Sequence, residues 1–168
     1  MPLSSSLGVS LSSTLSNALD LATARVPLAY SKSLDLSSGT GANQADKIFS
    51  DTRTLAASAT EDLDLAGVLV DALGSTLTFA RIKGLLICPA AANTNSLIVG
   101  NAASNGFISW VGGATHTVTV RPGGLFALFA PDATAYAVTA ATADLLHIAN
   151  GGAGTSVTYD IVIIGASA

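Results

Sequence analysis

Charged residues are scarce in this sequence. Asp, Glu, Lys and Arg supply 11% of its 168 residues against 49% hydrophobic, where a soluble domain ordinarily carries about 25% charge. So few charges cannot cover a monomer's surface, which sets the expectation that other chains cover part of it. The seven Lys and Arg are scattered from Arg25 to Arg121 and the net charge is −4. No basic stripe is available to neutralise phosphates, which argues against direct nucleic-acid binding.

Cysteine is nearly absent. Cys88 is alone, so an intrachain disulfide is excluded, and its place at the end of the apolar run Leu85–Cys88 points to burial. Histidine is limited to His116 and His147, too few for a zinc centre of about four N or S ligands. Both lie in strand-like contexts and are expected in the core or at an interface. Long apolar runs are missing too. The mean hydropathy is +0.56, yet Leu85–Cys88 and Ile161–Ile164 fall far short of the roughly 20 residues that span a bilayer, so no membrane partner is expected. Residues 1–6 lack the basic start and apolar stretch of a secretory signal, and synthesis and assembly in the cytoplasm are expected.

Catalytic signals are equally thin. No serine sits in a Gly-x-Ser-x-Gly elbow. The pairs Gly112-Gly113, Gly123-Gly124 and Gly151-Gly152 lack the Lys-Ser/Thr ending of a phosphate loop. Glu61, Asp62 and Asp64 lack the glycine-bearing calcium loop and read as a solvated strand edge that discourages pairing. The expectation is a non-enzymatic chain with no catalytic, cofactor-binding or metal-binding residues.

What is present divides at residue 26. Residues 1–26 are Ser-rich, with Leu at 3, 7, 11, 15, 19 and 21. Spacing of four places Leu7, Leu11, Leu15 and Leu19 on one side of a helix. Asn17, Ala18, Asp20, Ala22 and Ala24 predict a short helix within 13–24, although the Ser and Thr content opposes it. This segment reads as an extended or short-helical N-terminal arm that orders against a partner, or as a frayed terminus.

Residues 27–168 read as one β-domain, with short segments separated by Gly, Asn, Pro and Asp. Strands are predicted at Leu28–Leu36, Arg53–Ser58, Glu61–Leu65, Ser96–Val99, Phe107–Val111, Thr115–Arg121, Leu125–Ala130, Ala135–Ala140, Asp144–Ala149 and Ser156–Ile164. Leu77–Cys88, apolar on both faces, is the candidate central strand, and Gly100–Gly106 is expected to be a hairpin loop. Strands at this spacing without long helices point to an all-β antiparallel β-sandwich of jelly-roll type.

Three segments carry a resemblance. Val118-Thr119-Val120-Arg121-Pro122-Gly123-Gly124, Ala135-Tyr136-Ala137-Val138-Thr139 and Val157-Thr158-Tyr159-Asp160-Ile161-Val162-Ile163-Ile164-Gly165 resemble the capsid decoration (cement) proteins of tailed bacteriophages, which have β-sandwich heads. The likeness covers roughly the C-terminal half. It implies a homotrimer on the outer surface of the virion's icosahedral capsid, seated on the major capsid protein, with an N-terminal arm contacting neighbours or shell. On that reading Leu7, Leu11 and Leu15 serve the arm, and Phe107, Trp110, Phe126 and Phe129 serve core or intersubunit packing. The competing readings are a phage tail, neck or fibre component, and a carbohydrate- or receptor-binding module in which Trp110 or Tyr136 stacks on sugar.

Overall fold

Alternation of apolar and polar residues shapes the C-terminal half. In β12 (Val157–Ala166), Val157, Tyr159, Ile161 and Ile163 are buried toward one side, as a period of two requires. The same parity buries Leu85 and Ile87 of β6 (Arg81–Pro89) and Phe49 and Leu55 of β4 (Lys47–Leu55). These strands form a five-stranded sheet in the order β10 (Tyr136–Ala137), β6, β12, β4, with β9 (Phe126–Phe129) also pairing with β6. β6 therefore has neighbours on both edges, as expected of a central strand, but it begins at Arg81 and not at Leu77 as predicted. The computed structural model describes residues 2–168, and none of them is helical.

A four-stranded antiparallel sheet runs β5 (Thr60–Asp64), β11 (Leu145–Asn150), β7 (Leu97–Gly100), β8 (Thr117–Val120). Its inward residues Leu63, Leu97, Val99, Val120, Leu146 and Ile148 join those of the five-stranded sheet in one continuous core. Gly100 ends β7 at a φ of 106°, and a Cβ there would stand 2.5 Å from the His116 carbonyl oxygen. Only glycine fits that turn.

The segment ahead of the predicted strand Leu28–Leu36 departs from expectation, and that strand itself lies within a longer one. β1 (Ser5–Ala18) and β2 (Thr23–Ser38) form an antiparallel hairpin in unbroken register from Ser5↔Leu36 to Ala18↔Thr23. The Leu19–Ala22 turn closes it, with Leu19 N–H donating to Ala22 O at 2.8 Å. The short helix predicted within 13–24 does not form. A leucine spacing of four is an even number, so it keeps one side of a strand as well as one side of a helix, and the abundant Ser and Thr tip the choice to strand. The expected division between residues 26 and 27 falls inside β2.

At its base the hairpin lies on the outer side of the five-stranded sheet. There Leu3, Leu7 and Leu34 pack with Leu36, Ala45 and Ile164 in a second, smaller cluster. β2 also pairs in parallel with β3 (Gln44–Ala45). Gly84 makes room for this docking, since a Cβ on it would sit 3.1 Å from Leu7 Cδ1.

The segment Phe107–Val111 is not a strand. It folds as a tight turn, in which Trp110 Nε1–H donates to Phe107 O at 2.9 Å and Val111 N–H to Ile108 O at 3.0 Å. Gly100–Gly106 is accordingly not a hairpin loop, and Gly106 instead bridges in parallel to Leu145.

Candidate assembly surface

Cross-strand partners in a hairpin point to the same side, so the register sorts its side chains. One side carries Leu11↔Tyr30, Ser13↔Leu28 and Leu15↔Val26, and the other carries Ser10↔Ser31, Ser12↔Ala29 and Ser16↔Arg25. The ribbon is therefore amphipathic, apolar on one side and rich in small polar residues on the other. Leu11, Leu15, Val26, Leu28 and Tyr30 are each more than half exposed, Leu15 reaching 75%. Isolated two-stranded hairpins are marginally stable in water, and a contiguous apolar patch of this kind is rarely left open on a monomer.

The expected interface residues separate into three places. Leu11 and Leu15 lie on the open side of the ribbon. Leu7 meets Phe129 at the ribbon's base, where they line a cleft of about 190 Å³ with Gly84, Val162 and Ile164. Phe107 is buried in the main core, and Trp110 and Phe126 pack on that core as a tilted aromatic pair with ring centroids 5.4 Å apart. Sequence reasoning placed Val26 in the arm without a role and assigned Leu28 and Tyr30 to the β-domain. The visible signal was their alternation with Leu34 and Leu36, but nothing in one strand names its partner.

The acidic segment is less solvated than expected. Asp62 is exposed and lies 2.6 Å from Nδ1 of His147. Glu61, in contrast, is largely shielded and joins the two sheets: Arg53 Nε donates to it at 2.6 Å and the Tyr159 hydroxyl at 2.6 Å. The hydrogen bond to Glu61 holds the Arg53 guanidinium even more firmly protonated than usual, against the opposing effect of burial. Tyr159 is held far above the ordinary phenol range by burial and then by Glu61. His116 is exposed, just ahead of β8.

Lys83 is fully buried where the β6–β12 register shifts, and its ammonium donates to the Asp132 carbonyl. Burial lowers its pKa, against the attraction of the Asp132 carboxylate. Among the described residues no three His, Cys, Asp or Glu side chains converge on a metal position, and no helix is long and apolar enough to cross a membrane.

Cys88 is half-buried on the outer side of β6, opposite Asp160 of β12. Burial and then the Asp160 charge push its thiol up, which lowers the thiolate fraction that reacts. Iodoacetamide at pH 8 is therefore expected to label the native protein more slowly than the urea-unfolded chain. Asp160→Asn is expected to raise the native rate, on the order of twofold, as read by mass spectrometry.

Comparison of the chain with protein-family models, with curated proteins and with solved structures finds no match.

Proposed function

We propose that this chain is a non-enzymatic structural protein of a virion, a head decoration or cement protein that trimerises and stabilises an icosahedral shell from its outer surface. In this reading the two sheets that share a core are a β-sandwich head of jelly-roll type, and the hairpin is the arm that reaches neighbouring subunits or the major capsid protein. The observation that carries it is the uncovered apolar side of the ribbon, on a chain with too little charge to live comfortably with bare surface. Ser and Thr on the opposite side support it as well, because short side chains lose little entropy when an interface forms. Many identical weak contacts on a lattice then add by multivalency. Stacking of Trp110 on sugar is disfavoured, because its ring already packs on Phe126 and its N–H is already committed to Phe107.

Cutting the chain at residue 27 would strand β2 without its partner, so substitution is the cleaner test. Leu15→Lys with Leu28→Lys puts two charges in the middle of the apolar side and touches no core residue. Burial of those leucines is worth about 3 kcal/mol or more together, so self-association is expected to weaken at least roughly a hundredfold, with the thermal midpoint of the body unchanged. Light scattering reads the mass, and sedimentation with empty capsids reads shell binding. A trimer that ignores capsids would favour a tail, neck or fibre component, and a wild-type monomer that ignores them would overturn the structural reading.

A further inference from the structure

The hairpin ends in an apolar point. Leu19 is 57% exposed and Leu21 100%, flanking Asp20 in the four-residue turn. A turn of this kind is normally filled by Gly, Asn, Asp or Ser, and local geometry gives no reason for two bare leucines. At the opposite end of the same molecule lies an open cleft of about 380 Å³. Leu3, Ile48, Leu73 and Leu77 supply its apolar lining, and Lys47, Asp46 and Asp71 its charge, with the Asp46 carboxylate already accepting from the Ser167 N–H and hydroxyl. Leu73 on its rim is itself 73% exposed.

The two features cannot meet within one chain. The cleft begins at Pro2 and Leu3, just before β1, whereas the tip is separated from the base by fourteen paired positions without a bulge. At about 3.3 Å per residue the ribbon holds them some 45 Å apart.

Charge suits a contact between copies. The tip carries Asp20, and Arg25 lies two positions into β2, one charge to oppose Lys47 and one to oppose the carboxylates Asp46 and Asp71. Lys47 makes no ion pair among the described residues. The geometry points to the occupant of this cleft being the hairpin tip of a second copy, with Leu19 and Leu21 entering between Ile48 and Leu73 and Asp20 meeting Lys47. This deepens the self-assembly reading and rests on it. A tip-to-cleft contact joins unlike surfaces, so it propagates head to tail and closes into a ring where the rotation allows. A three-membered ring satisfies the proposed trimer with no free tip and no open cleft.

Cysteine cross-linking between full-length chains tests it, with Cys88→Ser as background. Chains bearing L21C are mixed with chains bearing L73C under mild oxidation, at a concentration where light scattering shows assembly to be complete. A disulfide-linked dimer is expected in the mixture and in neither protein alone. A dimer of L21C alone, equal to that of the mixture, would place tip against tip and overturn the contact. Charge exchange is the second readout: D20K and K47D are each expected to weaken assembly about tenfold or more, and D20K/K47D together to restore it. Wild type that assembles, with no mixed cross-link and no rescue, sinks this contact and leaves self-assembly standing. Wild type that stays monomeric throughout sinks self-assembly itself.

Discussion

Glu61→Ala is expected to lower the unfolding free energy by about 2–4 kcal/mol in urea titrations, a large loss for a residue at a sheet edge. The carboxylate accepts from Arg53 on β4 and Tyr159 on β12 while belonging to β5, so it ties the five-stranded sheet to the four-stranded one. Tyr159 is 1% exposed, and a buried hydroxyl without a partner costs about 1–3 kcal/mol. Arg53 suffers less, since it keeps Asp51 at 2.8 Å and its side chain remains 32% exposed, where water screens the loss. Adding Tyr159→Phe to Glu61→Ala removes the orphan hydroxyl, and about 1 kcal/mol or more should return. A full additive loss in the double variant would show that the hydroxyl is not what suffers.

The same tie has an alkaline signature. Tyr159 has a folded pKa raised above its unfolded value of about 10. Its contribution is complete below that value and is lost as pH rises toward the folded one, because the unfolded chain releases the proton first. Stability should therefore decline above about pH 10, and less steeply in Tyr159→Phe. Urea midpoints measured across that range check the sign.

Gly165→Ala is the second large effect, expected at about 3 kcal/mol or more. Gly165 sits where the β6–β12 register shifts, between Ile164↔Gly84 and Gly165↔Ile82. An added Cβ would collide with the Arg81 carbonyl oxygen and lie 2.7 Å from Phe79 Cδ1. One obstacle is a flexible ring and the other is backbone in a central pair of strands. Phe79→Leu should therefore fail to rescue Gly165→Ala, whereas recovery by that second substitution would show that the ring alone was the obstacle. Thermal melts of the two single variants and the double variant decide between them.

Much of the body was legible from period-two alternation. Val157–Ile163, Leu145–Ala149 and Leu97–Val99 bury every second residue because neighbouring sheets cover one side. Phe107–Val111 misled because a dense apolar run says nothing about whether its backbone pairs or turns. The hairpin misled for another reason. Leu7, Leu11 and Leu15 obey both helical and strand spacing, and the deciding fact is their partnership with Leu34, Tyr30 and Val26 across the ribbon. The Glu61 tie was out of reach altogether, since its members lie 8 and 98 residues away along the chain. Strand patterning shows which side a residue faces and leaves open which distant residue it meets.

The position of β12 in its sheet governs how the protein is made. β12 is the strand against which both β4 and β6 are zipped, yet its first residue is Val157, while β4 is complete at Leu55. At about 5–20 residues per second, β4 emerges from a ribosome on the order of 5–20 seconds before its partner. Hairpin pairing is local and takes about 1–10 μs, but Ile164, on which the ribbon's base packs, comes last. During that interval β4 and β6 offer unpaired edges and the ribbon offers uncovered leucines, all on one nascent chain. Crowded neighbouring chains at that stage can capture one another through these surfaces. A holdase that shields the growing chain over that interval is therefore expected to raise the yield of folded protein.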